Sequence, residues 1–219
     1  MVKTALIIGS TGLIGSELLQ ILLDNPEYTS VVTFVKRDTG IQNPKLTQHV
    51  IDFDKPESYK EWVVGDDFFC TIGTTIKKAG SQQAFKKVDF EYPKQFALFA
   101  QENKVKNYLL ISSLDANATS SNFYLKTKGE IQDFLKTCNF ESVSILQPSL
   151  LLGDRNEFRF AEKAGAFVMK LVSFVFVGKL KKYKAIQGNT VAKALYRIAQ
   201  KNKKGFHIYE SDVIQEIGN

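Results

Sequence analysis

Residues 2–25 read VKTALIIGSTGLIGSELLQILLDN, and within them Gly9-Ser10-Thr11-Gly12-Leu13-Ile14-Gly15 spaces three glycines as Gly-x-x-Gly-x-x-Gly. A short continuous apolar run precedes the glycines, the pattern of a strand buried on both faces, and apolar residues at helical spacing follow them as far as Asn25-Pro26. In such a turn one glycine makes the tight bend, a second lets the backbone approach a pyrophosphate, and the third lets the helix pack closely on the sheet. The amides of the helix N-terminus, with the helix dipole behind them, then face the anion. A glycine triplet alone is a weak signal, but its place between strand and helix, with another strand after them, makes it a strong one.

Working outward, SVVTFVKR, LTQHVIDFD and DDFFCTIG are further β-rich runs, and KNYLLISS and ESVSILQPS are two more. Helical patterns recur at VDFEYPKQFALFAQEN, FYLKTKGEIQDFLKTC and TVAKALYRIAQKN. Strands alternating with helices predict an α/β fold, a doubly wound parallel sheet of Rossmann type. The expected strand order is 3-2-1-4-5-6, with a ligand across the carboxyl ends of the strands. Residues 1–219 read as a single domain in which 152–184 adds a small substrate-cleft or lid region. The apolar stretch Ala166 to Leu180 is interrupted by Lys170 and falls short of the ~20 residues that a membrane span requires. A lid helix, a dimer contact and plain core remain open for it.

Apolar residues make up 44% of the chain and charged ones 24%, the balance of a folded protein without a disordered tail. Cys70, Cys138, His49 and His207 stand apart, which excludes a disulfide framework and a metal cluster. The amino terminus enters a strand pattern without a signal-peptide cleavage site, so a reducing, cytoplasmic location is expected. The net charge is +6, but the excess lysines gather in Gly178 to Lys184 and Lys201 to Gly205 without interleaved aromatics. They read as a solvated basic face, and no nucleic-acid partner is expected. A protein partner or a homodimer stays open.

Where the second strand ends, a site built for NAD usually places an acidic residue against the ribose hydroxyls. Here Lys36 and Arg37 stand there. A guanidinium holds a 2′-phosphate bidentately where a carboxylate repels it, which argues for NADP(H). Asp38 follows at once and keeps NAD(H) possible.

Tyr124 and Lys128 are four residues apart, about one helical turn, and so share a face. A free phenol, with a pKa of about 10, is a poor acid–base catalyst near neutrality, and a nearby ammonium favours its ionised form. Lys128 is therefore read as activating Tyr124. The strand LLISS ends upstream in Ser112-Ser113. The serine pair, Tyr-x-x-x-Lys and the N-terminal glycine motif, in this order, resemble the short-chain dehydrogenase/reductase superfamily. The resemblance implies that Tyr124 exchanges a proton with a carbonyl or alcohol oxygen and that Lys128 also holds the nicotinamide ribose. It further implies that a serine steadies the substrate oxygen, Ser113 by analogy and Ser112 as a close second.

Four further stretches, DFFCTIGTTIKKAG, SSLDANATSSNFYLKTKGEIQ, QPSLLLGDRNEFR and YESDVIQEIGN, look like the atypical short-chain dehydrogenases related to the Tat-interacting protein, an NADPH-binding family. This resemblance spans essentially the whole chain. It implies that Ile72 and Gly73 lie along the cofactor, with Asp52 and Phe53 near adenine. Pro148, Leu150 and Leu151 would line the nicotinamide, and Arg159, with Arg155 nearby, would reach a phosphate or the substrate. Two positions depart from the pattern. Gln147 stands where relatives often carry arginine, and Asp89 stands where extended members use asparagine. The implied activity is NADP(H)-dependent oxidation or reduction of a small carbonyl or alcohol. The alternative is a cofactor-sensing regulatory protein with little or no turnover.

Overall fold

The structure, a computed structural model, describes residues 2–153 and 178–219. The chain runs through β1 (Lys3–Ile8), α1 (Leu13–Asp24), β2 (Tyr28–Val35), β3 (Leu46–Val50), β4 (Asp67–Cys70), α2 (Ile76–Ala79), α3 (Gln82–Lys86), α4 (Tyr92–Glu102), β5 (Asn107–Ile111), α5 (Phe123–Lys136) and β6 (Ser142–Gln147). A helix Gly188–Lys201, a strand Gly205–Glu210 and a helix Ser211–Gly218 follow. The sheet order is β3-β2-β1-β4-β5-β6 and then Gly205–Glu210, with every neighbouring pair parallel. The chain builds outward from β1 to β3 and returns to β4 on the other side of β1. The order thus reverses between β1 and β4, where a doubly wound sheet opens a crevice at its carboxyl ends.

Period-2 alternation sends side chains to both faces of the sheet. From β1, Leu6 and Ile8 join Phe96 and Phe99 of α4 and Ile131 and Leu135 of α5 on one face. Ala5 and Ile7 join Leu18 and Leu22 of α1 and Val191 and Leu195 of the helix Gly188–Lys201 on the other. This double burial is why the strands read as continuous apolar runs. At the amino ends of the strands, the fully buried Asp67 carboxylate accepts from the Tyr28 hydroxyl and the Asn107 amide, both at 2.5 Å, and pairs with the Lys3 ammonium at 3.2 Å.

The short helices Ile76–Ala79 and Ser211–Gly218 go beyond the sequence expectation, and so do two further features. The seventh strand, GFHIYE, alternates weakly between exposed and half-buried positions and offers no clear period. The predicted helix at Val88 begins earlier, at Gln82, and passes through a π turn, Lys87–Glu91, in which the Tyr92 amide donates to the Lys87 carbonyl. Pro93 accounts for the widening. It has no N–H to return to the Asp89 carbonyl four residues back, and its ring clashes with that group. Of the predicted 152–184 region, Leu151–Leu152 pairs in parallel with Ile186–Gln187 and a short helical turn covers Gly178–Tyr183. Arg155, Arg159 and most of the apolar 166–180 stretch lie outside the described residues. No helix among the described residues is long and apolar enough to cross a membrane.

Candidate active site

The glycine loop makes its turn at Gly9, whose φ of +84° lies in the left-handed region, and the Gly12 amide donates back to the Gly9 carbonyl at 2.9 Å. Gly15 packs so tightly that a Cβ there would overlap the Gly9 carbonyl oxygen. No side chain caps the first turn of α1, so its leading amides are left for a ligand. The buried Ser10 hydroxyl has no hydrogen-bond partner among the described residues. A tight backbone cradle, uncapped amides and an unsatisfied hydroxyl fit a pyrophosphate. Ile14 instead turns its side chain into the core.

A cavity of about 880 Å³ opens from this loop. It brings together Gly9, Ser10, Thr11, Lys36, Arg37, Phe53, Ile72 and Gly73, all singled out in the sequence. The Lys36 ammonium lies 5.8 Å from the Phe53 ring centroid and 6.0 Å from that of Tyr92. Arg37 is exposed, and its side chain meets no described residue in a hydrogen bond or ion pair. The Asp38 carboxylate is engaged within its own turn, accepting from the Gly40 amide at 3.0 Å and the Gln48 amide at 3.5 Å. Asp52 does not line the cavity. It accepts from the Asp54 amide at 3.0 Å and shapes the turn after β3. Gly12 and Leu13 face a smaller neighbouring cavity of about 380 Å³.

Lys87 and Tyr92, also on the cavity wall, went unnoticed in the sequence. Lys87 pairs with Asp54 at 2.8 Å and Tyr92 donates to it at 2.7 Å. Those bonds hold the Asp54 carboxyl below its usual range, Lys87 contributing most. No local pattern announces partners more than thirty residues apart.

Behind Gly73, and outside the cavity lining, which also excludes Tyr124 and Ser113, lies a buried ion pair. Lys128 Nζ lies 2.7 Å from Asp89 Oδ1, and a Cβ on Gly73 would sit 3.3 Å from that oxygen and 3.6 Å from Nζ. Burial works against the Lys128 charge, but Asp89 and, more weakly, Tyr124 outweigh it and raise its pKa. The Asn122 side chain caps α5, accepting from the Leu125 amide at 3.2 Å. One turn before Lys128, the half-buried Tyr124 packs its ring 5.5 Å from that of Phe85. Gly129 lets the loop after β5 lie directly on α5, because a Cβ there would overlap the Ala118 amide and the Asn117 backbone.

The two serines differ. Ser112 is buried and accepts from the Gln132 amide at 2.5 Å, and Gln147 donates to the other end of that amide at 3.0 Å. Ser113 is half-buried and outside this chain of bonds. Pro148 is buried, Leu150 is 53% exposed and Leu151 pairs with Ile186. None of these three lines the large cavity. Among the described residues no group of three His, Cys, Asp or Glu side chains is placed to hold a metal.

No family model matches the chain. Curated relatives do. "Protein FMP52, mitochondrial" of Candida albicans is 35% identical over 156 residues, 69% of this chain and 68% of that one. "Protein HTATIP2" of Rattus norvegicus is 33% identical over 161 residues, 72% and 66% of the two chains. "Protein fmp52, mitochondrial" of Emericella nidulans is 30% identical over 226 residues, 95% and 96%. The chain belongs to the FMP52/HTATIP2 family.

Solved structures share the fold of this FMP52/HTATIP2 chain at low identity. The UDP-N-acetylglucosamine 4-epimerase from Methanobrevibacter ruminantium superposes with a TM-score of 0.69 at 16% identity, over 95% of this chain and 76% of that one. The oxidoreductase ylbE from Lactococcus lactis gives 0.68 at 17%, over 98% and 94%. The Bordetella bronchiseptica enzyme WbmH, solved with NAD+, gives 0.69 at 15%, over 96% and 76%. The relatives also correct the expected cytoplasmic location, since the FMP52 proteins are named mitochondrial. Two cysteines without a disulfide spacing do not distinguish one compartment from another.

Proposed function

We propose that this FMP52/HTATIP2 protein is an NADP(H)-dependent oxidoreductase of short-chain dehydrogenase type, associated with mitochondria as its FMP52 relatives' names suggest. The observation that carries the reading is the continuity of one cavity from the glycine loop to Gly73, whose other side meets the Lys128–Asp89 pair one turn from Tyr124. In this reading the loop from Gly9 to Gly15 receives the pyrophosphate. Arg37, unpaired among the described residues, takes the 2′-phosphate, with Lys36 held over two aromatic rings beside it. Asp38, which also lines the cavity, accepts from the Gly40 amide of its own turn, and NAD(H) remains the second coenzyme.

Phe53, Ile72 and Gly73 lie along the dinucleotide. Lys128 would hold its nicotinamide ribose, and Pro148, Leu150 and Leu151 would contact its nicotinamide; Arg159, assigned to a phosphate or the substrate, lies outside the described residues. When bound, the nicotinamide supplies or takes a hydride at the substrate carbon. Tyr124 gives its hydroxyl proton to the carbonyl oxygen in reduction and takes it back in oxidation, so carbonyl, hydride and proton balance to an alcohol. Ser113 donates a hydrogen bond to that oxygen, since it is half-buried whereas Ser112 is only 5% exposed and packed against Gln132.

The test follows NADPH absorbance against a panel of aldehydes, ketones and quinones, with native protein and Tyr124→Phe. Turnover by the native protein, lost in Tyr124→Phe while cofactor binding is kept, supports the proposal. Cofactor binding without turnover on any compound gives the protein to the regulatory alternative.

A further inference from the structure

We propose that Asp89 is the counter-ion that keeps Lys128 charged and in place before the cofactor arrives, a positioning residue for the ammonium that holds the ribose. This rests on the dinucleotide reading above. An ammonium only 5% exposed cannot keep its proton without an anion beside it, because desolvation favours the neutral amine. The titratable groups that act on Lys128 are Asp89 from the π turn, Tyr124 on its own helix, and Cys70 at the end of β4. Burial pushes the Cys70 thiol up to about 12, so it is neutral. Asp89, itself 1% exposed, is the carboxylate in contact.

The carboxylate is held as well as placed. Asp89 Oδ2 accepts from the Thr74 amide at 2.9 Å, which ties the pair to the loop that walls the cavity. Asp89 lies within the π turn, a widening of the helix that recurs at functional sites. An asparagine at 89 keeps the shape and the Thr74 bond but has no charge to give Lys128.

Two measurements on the full chain, native and Asp89→Asn, test this between about pH 7 and 9.5. NADPH affinity of the native protein stays nearly level, whereas that of Asp89→Asn falls by about tenfold as Lys128 loses its proton within the range. The second readout needs no cofactor. In Asp89→Asn the folded Lys128 titrates below its unfolded value of about 10.4, so the unfolded chain binds more protons and stability rises with pH. In the native protein the folded value is raised, so no such slope exists below that pH. The thermal-unfolding gap between the two proteins therefore narrows as pH rises.

The double variant Asp89→Asn/Lys128→Arg restores a level pH profile, because a guanidinium keeps its proton. Identical pH dependence of native and Asp89→Asn in both measurements overturns the inference. Absence of NADPH binding by the native protein at every pH overturns the dinucleotide reading instead, and the stability gap still tests the pair. Should Asp89→Asn not fold, Asp89→Asn/Lys128→Met decides. Recovery of folding supports the counter-ion role, and failure to recover contradicts it.

Discussion

The Ser112 hydroxyl accepts a hydrogen bond from the Gln132 side-chain amide at 2.5 Å, inside the protein and away from solvent. That bond separates the roles of two adjacent serines. Ser112→Ala leaves a buried amide donor unsatisfied and costs about 1–3 kcal/mol of stability, read by denaturant unfolding, with turnover per folded molecule preserved. Ser113→Ala leaves stability unchanged and lowers kcat about 10- to 100-fold, as expected for loss of one donor to a developing oxyanion.

Gly15 and Gly9 are in such close contact that no side chain fits between them. Gly15→Ala forces α1 away from the loop. We expect a loss of about 1–3 kcal/mol in unfolding free energy, typical of overpacking, and a loss of NADPH binding larger than the stability change accounts for. Fluorescence titration of the folded variant checks this.

Arg37 is the exposed cation at the end of β2 that has no hydrogen-bond or ion-pair partner among the described residues, and Asp38 beside it, also on the cavity wall, accepts from the Gly40 amide. Arg37→Ala is expected to weaken NADPH about 10- to 100-fold, the worth of a charge-assisted hydrogen bond, and to leave NADH within about twofold. Equal losses for both coenzymes would place the residue outside the phosphate site.

Asp67 serves the fold rather than the site. It lies at the amino ends of the strands, gathering Tyr28, Asn107 and Lys3, while the cavity lies at the carboxyl ends. Asp67→Ala removes the acceptor all three share and is expected to cost about 3–5 kcal/mol, the range for breaking a buried pair, with coenzyme affinity of the folded fraction unchanged. Chemical denaturation and titration together separate the two effects.

Much of this architecture is legible in the sequence because the physics behind it is local. The Gly9 to Gly15 spacing, the apolar run of β1 and the helical period of α1 each act within a few residues, and together they fix the crossover that opens the crevice. Tyr124 and Lys128 are placed by one turn of α5. What the sequence hides is pairing across distance. Asp89, inside a π turn that no 3.6-residue period reveals, meets Lys128 from another helix. Lys87, Tyr92 and Asp54 meet across more than thirty residues. The strand Gly205–Glu210 escapes notice because its residues are half exposed at the sheet edge. Asp52 and Phe53 are adjacent in sequence, but the Asp52 carboxylate shapes a turn while Phe53 faces the cavity.

The account depends most on a dinucleotide lying between the glycine loop and Lys128, and titration calorimetry of the native protein with NADPH tests that most directly. We expect saturable binding of one NADPH per chain, weaker binding of NADH, and loss of both in Gly15→Ala. No heat of binding with either coenzyme, from protein shown to be folded, would contradict it.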